Sequence, residues 1–376
     1  MSFSRLQEYS AWFKISKMTK TARRFLLTSL IIVFLLIAPA VLFYAWGYSF
    51  DWQNKKPVLT GGIYLESIPK KAEIYVNDEL KARTPKLVKR LLPREYQIKL
   101  VKKDHHPWQK KMRVESKLVT EARNIFLVPQ KPALELIRND AGNNFSLEEF
   151  LKTDGERKII IKAEKILSGL NTGTTSLDQI VSYKVIDQDI FYLQKPSYIL
   201  YQTDLSGAVK NQVSLSPLPE NNYQIFISPD RNLAVLDNKD RLYFLNQENK
   251  NFENLAENIK EVQFSKDGKK LLYFSKSEIW VYYLKENLIQ PFKKAGEKEL
   301  ITRLSQEIKQ AIWYPETNEH IIFSVGSLVK ITELDGRDIR NTVDFLEKET
   351  SQIAYDQETE SLYFTEGEKL YSVSLE

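Results

Sequence analysis

The sequence predicts a mainly β chain carried on a single N-terminal transmembrane helix: a small β-sandwich, then a β-propeller of about five or six blades. Three observations predict this. An uncharged run extends from Phe25 to Tyr48, short alternating runs broken by turn residues fill roughly residues 60 to 130, and a unit of roughly forty residues recurs beyond them. The expected division is a basic cytoplasmic tail at 1–24, the transmembrane helix at 25–48, a linker at 49–59, the sandwich at 60–130 and the propeller at 131–376.

Composition agrees with packed domains. The chain has 376 residues, 43% hydrophobic and 12% aromatic, which is ample for cores. Its 54 basic and 49 acidic residues leave a net charge of +5, with much of the surplus before residue 113. So slight an excess does not make the concentrated basic face of a nucleic-acid binder, and no nucleic-acid partner is expected. The absence of cysteine excludes disulfides, cysteine-ligated metal centres and thiol nucleophiles.

The run FLLTSLIIVFLLIAPAVLFYAWGY exceeds the roughly 20 residues a helix needs to cross a bilayer, and it is apolar on every face. Membrane lipid is therefore an expected partner of residues 25–48. Arg5, Lys14, Lys17, Lys20, Arg23 and Arg24 precede the run against one acid, Glu8, which places the N-terminus in the cytoplasm and the remainder outside. Tyr44, Trp46, Tyr48, Phe50 and Trp52 cluster where the outer headgroups should lie. Ala38-Pro39-Ala40 offers the small residues of a signal-peptide cleavage site, but the apolar run continues through Val41, Leu42 and Phe43, which favours an uncleaved anchor. Residues 6–20 suit either a short helix lying along the inner leaflet or a solvated tail.

In the next stretch IYLES, AEIYVN, YQIKLVKK, KKMRVES and ARNIFLVP each suit a strand with one buried face, and five such strands imply a small sandwich. Gly62, Pro69-Lys70-Lys71-Ala72, Ile74-Tyr75-Val76-Asn77, Thr84-Pro85, Leu92-Pro93-Arg94-Glu95-Tyr96 and Trp108 carry a resemblance to the PEGA domain, a β module of bacterial and archaeal surface proteins. Lys71 stands where the family has its namesake glycine, and His105-His106-Pro107 replaces a Gly-Tyr pair. The resemblance implies structural roles: Pro69 and Pro85 preset turns, and Ala72 and Tyr96 pack inward. It brings no catalytic residue. His105 and His106 are adjacent, point to opposite sides of a strand and cannot share a metal; an exposed hairpin loop is expected there. The many lysines make the module basic, either a solvated surface or one facing anionic lipid or wall polymer.

Beyond residue 130 four copies share an aromatic residue, a polar turn and a hydrophobic strand: IFISPDRNLAVL, VQFSKDGKKLLYF, AIWYPETNEHIIF and IAYDQETESLYF. From Ile227 through Phe264 and Trp313 to Tyr355 the period is about 37 to 49 residues, the range of propeller blades. A further strand comes after each copy, as in EIWVYYL, and an earlier copy spans Ser182 to Gly207. Ser228-Pro229-Asp230 together with Phe264-Ser265 and Asp267-Gly268-Lys269 resemble the WD40-like or TolB-type propeller repeat. Asp267-Gly268 reads as a hairpin turn with glycine at positive φ. In the segment before the first copy, SLEEFLK suggests a short helix and KIIIKAEKIL a strand.

No G-x-S-x-G elbow, P-loop, dinucleotide fingerprint or HExxH is present. The expectation is a non-enzymatic, membrane-anchored binding or scaffold protein of the cell envelope, without catalytic, cofactor or metal site and with binding residues unassigned. Its expected partners are lipid and a wall polymer or envelope protein. Two alternatives stay open: a propeller hydrolase or lyase acting on envelope polysaccharide, which predicts paired carboxylates near the channel mouth, and a purely structural wall or surface-layer element.

Overall fold

A computed structural model describes residues 19–142, 145–169, 179–207 and 210–375. Residues 6–20, read as either an inner-leaflet helix or a solvated tail, fall almost wholly outside them. The described residues form two compact units. One holds residues 19–63 with Val88–Arg94 and Arg113–Thr120; the other holds Tyr64–Leu87, Glu95–Met112 and the chain from Glu121 onward.

Helix α1 runs from Lys20 to Ala45, capped by Thr19, whose hydroxyl accepts from the Ala22 N–H. Its most apolar 18-residue window has a mean hydropathy of 2.8 and none of it is buried against protein, so length and composition suit a membrane crossing. It ends three residues before the sequence limit of 48. The expected linker is instead a hairpin: β1 (Tyr48–Asp51) pairs antiparallel with β2 (Lys56–Leu59) around a turn that Asp51 closes by accepting from the backbone of Gln53 and Asn54. A hydrogen-bonding Asx residue between aromatic-rich flanks makes this a local hairpin rather than an extended tether.

The next seven strands stand where the sequence suggests five: β3 (Gly61–Ile68), β4 (Glu73–Val76), β5 (Glu79–Arg83), β6 (Lys86–Leu91), β7 (Glu95–Val101), β8 (Trp108–Arg113) and β9 (Val119–Phe126). They make a four-stranded sheet in the order β5–β4–β7–β8 and a three-stranded sheet in the order β6–β3–β9. Alternation puts Ile74, Val76, Tyr96, Ile98 and Leu100 inside. Ala72 is buried as the resemblance implied. Thr84 ties the two proline turns together: its hydroxyl accepts from the Ala72 N–H (3.0 Å) and bonds Ser67 (2.7 Å), while its carbonyl accepts from the Lys71 N–H (2.9 Å). Lys71 sits at φ +65°, a left-handed position that explains why glycine suits this site.

After β10 (Leu134–Arg138) come two helices, α2 (Leu147–Leu151) and α3 (Asp154–Gly169). α2 is the short helix expected of SLEEFLK, with Ser146 as its cap. α3 overturns the strand expected of KIIIKAEKIL. Its β-branched run Ile159–Ile161 suggests a strand, but Ile159, Ile160, Ala163, Ile166 and Leu167 recur at helical spacing, and Ala163 and Leu167 are fully buried. Thr153 and Glu156 form a capping box that starts it: the Glu156 carboxylate accepts from the Thr153 N–H (2.8 Å) and the Thr153 hydroxyl from the Glu156 N–H (3.3 Å).

The rest is a series of four-stranded antiparallel sheets. The first contains β11 (Ile180–Ile186), β12 (Asp189–Gln194), β13 (Ile199–Asp204) and β14 (Asn211–Gln212). The second contains β15 (Tyr223–Ile227), β16 (Leu233–Asp237), β17 (Leu242–Leu245) and β18 (Phe252–Ala256). The third contains β19 (Glu261–Phe264), β20 (Lys270–Phe274), β21 (Glu278–Tyr283) and β22 (Lys298–Arg303). The fourth contains β23 (Ile308–Tyr314), β24 (His320–Val325), β25 (Leu328–Glu333) and β26 (Thr342–Glu347). The fifth contains β27 (Ile353–Asp356), β28 (Ser361–Glu366) and β29 (Lys369–Ser374), with β10 pairing on β29 as its fourth strand. Each sheet thus begins at one of the repeat copies found in the sequence. Gly268 takes φ +66° in the turn expected at Asp267-Gly268.

Successive sheets bury their faces against each other. Leu193, Leu200, Ile225 and Val235 join the first to the second; Leu236 and Leu271 the second to the third; Phe274, Trp313 and Phe323 the third to the fourth; and Tyr314, Ile331, Phe364 and Val373 the fourth to the fifth. The two end faces are covered by the helices. Leu147 and Ala141 pack on the fifth sheet at Leu370, and Ala163 and Leu167 pack on the first at Ile190 and Tyr192.

Candidate functional site

Two neighbouring features stand out within the second unit: a buried polar seam joining β8 and β9 to the fourth sheet, and an exposed apolar surface on the loops beside it.

The seam starts from alternation on β8. Trp108, Lys110 and Met112 face inward while Gln109, Lys111 and Arg113 face out. Lys110 is one of the lysines expected at a solvated or polymer-facing surface, yet it is 0% exposed. Its Nζ lies 2.8 Å from Glu333 Oε1, 3.7 Å from Asp335 Oδ1 and 2.7 Å from the Asp335 carbonyl. A lysine can be buried when its ammonium finds acceptors and opposite charge, here two hydrogen bonds and a second carboxylate nearby. Glu333, at the end of β25, also accepts from Trp108 Nε1 (2.8 Å) and from the Asn341 N–H and Nδ2 (both 2.8 Å). Its charge is thereby fully solvated by protein donors.

Asp335 is a second acid on the seam. Burial would raise its pKa, but the Arg337 guanidinium, bonded to both its oxygens, and Lys110 together hold it below the usual carboxylate range. Arg337 also donates to the Glu121 carbonyl (2.8 Å) and to Gln290 Oε1 (3.2 Å), and the Glu121 N–H donates to the same Gln290 oxygen (3.1 Å). The module at β8 and β9 is therefore docked onto the sheets. A cleft of about 480 Å³, its solvent-open part included, runs along this seam between Trp108, Ile125, Pro291, His320, Glu333 and Asp335. His320 is wholly buried, with Nδ1 against the Thr317 hydroxyl (2.9 Å); burial and nearby Lys270 push its pKa down to about 3.

Beside the seam, the loop from Glu286 to Lys293 is held by the Asn287–Lys293 backbone bridge, by Asn287 Nδ2 donating to the Pro291 carbonyl and by Gln290 as above. Arg340 bonds Glu299 of β22 and so ties the β25–β26 loop to the third sheet. On these anchored loops Leu288 is 74% exposed, Phe292 67% and Ile339 79%. Exposed apolar side chains are costly to leave in water where they gather into a patch, which makes these loops a candidate recognition surface.

A third feature lies on the first strands of the third and fourth sheets and just before that of the fifth. Gln263 Oε1 accepts from the Trp313 N–H (2.8 Å), Gln310 Oε1 from the Ile353 N–H (2.7 Å) and Gln352 Oε1 from the Leu147 N–H (2.7 Å). Glu261 opens β19; burial first, then the carboxylate of Glu148 on α2, raise its pKa to about 7.

The sequence assigns no catalytic, cofactor or metal residue. Among the described residues no group of three or more His, Asp or Glu could hold a metal. His105 and His106 are half-buried rather than exposed: a bridge joins His105 to Pro129, and the His106 N–H donates to the Val128 carbonyl (2.8 Å). Lys110, Glu333 and Leu288 escape sequence reasoning. Lys110 is one of many lysines, and its partner lies more than two hundred residues away; an apolar Leu-Ile-Gln-Pro-Phe loop between two strands is the only available signal.

The PEGA domain family model matches residues 60–129, and these residues are a PEGA domain. No curated protein matches the chain. Among solved structures, the extracellular domain of a B. thetaiotaomicron two-component system aligns at 14% identity and TM-score 0.38 over 55% of this chain; the chain spans only 29% of that protein. The Cps50 (Swd1) β-propeller domain of Myceliophteria thermophila aligns at 12% identity and TM-score 0.37, covering 50% of this chain and 66% of that one. A gluconolactonase of Xanthomonas campestris aligns at 12% identity and TM-score 0.33, covering 50% and 69%.

Proposed function

We propose that this is a membrane-anchored, extracytoplasmic binding or scaffold protein of the cell envelope, held by α1 with its N-terminus in the cytoplasm. One observation carries the binding role: Leu288, Phe292 and Ile339 stand exposed on loops whose backbones are fixed by the seam. A pre-ordered apolar surface loses little entropy when a protein partner covers it, so it suits a hot spot. The PEGA match and the apolar helix support the envelope setting.

Two measurements test this. Protease should remove a C-terminal tag from intact cells; protection until lysis would overturn the orientation. In-cell photocrosslinking from position 292 should give one discrete adduct that disappears when Leu288 and Ile339 are changed to Ser; absence of any adduct would overturn the binding role.

A second reading, a hydrolase or lyase acting on envelope polysaccharide, draws on the Glu261 and Glu148 carboxylates, one with the raised pKa a general acid needs. It requires glycan turnover that Glu261→Gln abolishes.

A further inference from the structure

We propose that the segment where α1 leaves the membrane is itself a lipid-docking surface, seating on anionic phospholipid headgroups of the outer leaflet. This rests on the anchor reading above and adds a second contact with the same bilayer.

At about 1.5 Å per residue, the 26 residues of α1 span roughly 39 Å, more than the ~30 Å hydrocarbon core, so its last turn reaches headgroup depth. The residues just beyond the helix are joined rigidly to that turn. Gly47 closes on the helix through its N–H to the Tyr44 carbonyl (3.1 Å), and its own carbonyl accepts from both the Thr60 N–H (3.0 Å) and the Thr60 hydroxyl (2.8 Å). Arg90 lies with its guanidinium 3.3 Å from the Tyr44 ring centroid and donates to the Tyr44 carbonyl, one of the orphan acceptors at the helix end. The depth of Tyr44 therefore sets the depth of the β1–β2 hairpin and of the Arg90 loop.

The surface so placed is both aromatic and basic. Trp46 is 65% exposed and Trp52, at the hairpin tip, is 82% exposed. Trp52 stacks edge-on against the half-exposed Phe50. Indole rings favour the headgroup layer. Residues 46–63, 88–94 and 113–120 of this unit hold seven Lys or Arg against two acids, and Lys55, Lys56 and Lys89 are exposed. Of the acids, Asp51 has its carboxylate occupied by Gln53 and Asn54 in the turn. A cationic, Trp-tipped hairpin locked to a membrane helix complements an anionic lipid surface in charge, chemistry and position.

The test uses the full chain in nanodiscs of phosphatidylcholine alone and of phosphatidylcholine mixed with phosphatidylglycerol, read by hydrogen exchange. Exchange over residues 46–60 and 88–94 should slow several-fold in the anionic discs. The difference should vanish at high salt and in Lys55→Glu/Lys56→Glu/Lys89→Glu, while exchange in β16 and β24 stays unchanged. Equal exchange of the native chain in both discs overturns the docking surface and leaves the anchor standing; failure of the chain to enter either disc overturns the anchor and the docking with it.

Discussion

Replacing Lys110 by Ala should be among the most damaging single changes in the second unit. The side chain is fully buried and its ammonium bridges Glu333 and the Asp335 carbonyl at 2.8 and 2.7 Å. Breaking a buried pair by deleting one partner costs about 3–5 kcal/mol, because the survivor is left charged in a poorly solvating site. Here Glu333 keeps three donors, from Trp108 and Asn341, which favours the lower end, about 3 kcal/mol. At roughly 2–4 °C per kcal/mol for a unit of this size, the melting midpoint should fall by about 6–12 °C. The assay is thermal unfolding of the full chain, read by circular dichroism. The double variant Lys110→Met/Glu333→Leu should be much less damaged than the two single changes sum to, a coupling of about 1–3 kcal/mol. A loss below about 0.5 kcal/mol for Lys110→Ala would mean the pair behaves like an exposed one, and would refute the docked module.

Other substitutions probe separate parts. Lys71→Gly should stabilise by about 0.5–1 kcal/mol, the roughly 1–2 kcal/mol of left-handed strain at φ +65° less glycine's unfolded-state entropy; a loss in chemical denaturation would show that the side chain has its own role. Glu261 has a folded pKa raised from 4.5 to about 7, so the stability it contributes is present below pH 4.5 and is lost as pH rises towards 7. Glu261→Gln should therefore gain on the native protein by at most about 3 kcal/mol at pH 8 and nothing at pH 4 in paired melts. His320 has the opposite sign: its pKa is depressed to about 3, so its contribution is full above pH 6.5 and drains away as pH falls towards 3. His320→Asn should flatten that acid limb. Gln352→Leu strands the Leu147 N–H and the Phe145 carbonyl and should cost about 1–3 kcal/mol, with faster hydrogen exchange in α2 as its local readout.

The part of the fold legible in the sequence was local. The uncharged run of α1, the strand alternation of the PEGA domain and the aromatic-turn-strand repeats each lie within a few dozen residues, and each became the element expected. The Thr153–Glu156 capping box was also there to be read and would have corrected the strand expected at Lys158–Leu167. The hidden part was long-range. Nothing local separates buried Lys110 from exposed Lys111, because only the face of β8 decides, and that face is set by a partner contributed by β25. The loop carrying Leu288 and Phe292 is likewise held from afar, with Gln290 accepting from Arg337 and from the Glu121 N–H.

The glutamine contacts show how the ends of the sheet series are finished. Each of these glutamines reaches the N–H of the next member: Gln263 of the third sheet to the fourth, Gln310 of the fourth to the fifth, and Gln352, just before β27, to Leu147 of α2. The helix is thus engaged as the next sheet would be, and α3 then covers the free face of the first sheet through Ala163 and Leu167. The same stretch supplies β10 to the fifth sheet, while Phe126 and Val128 just before it sit in the core shared by the fourth and fifth. Residues 121–169 therefore close three apolar surfaces that the repeats leave open. Within the second unit, β4, β5 and β7 and the five sheets should accordingly unfold as one cooperative unit, because Phe126 and Val128 sit in the core the fourth and fifth sheets share.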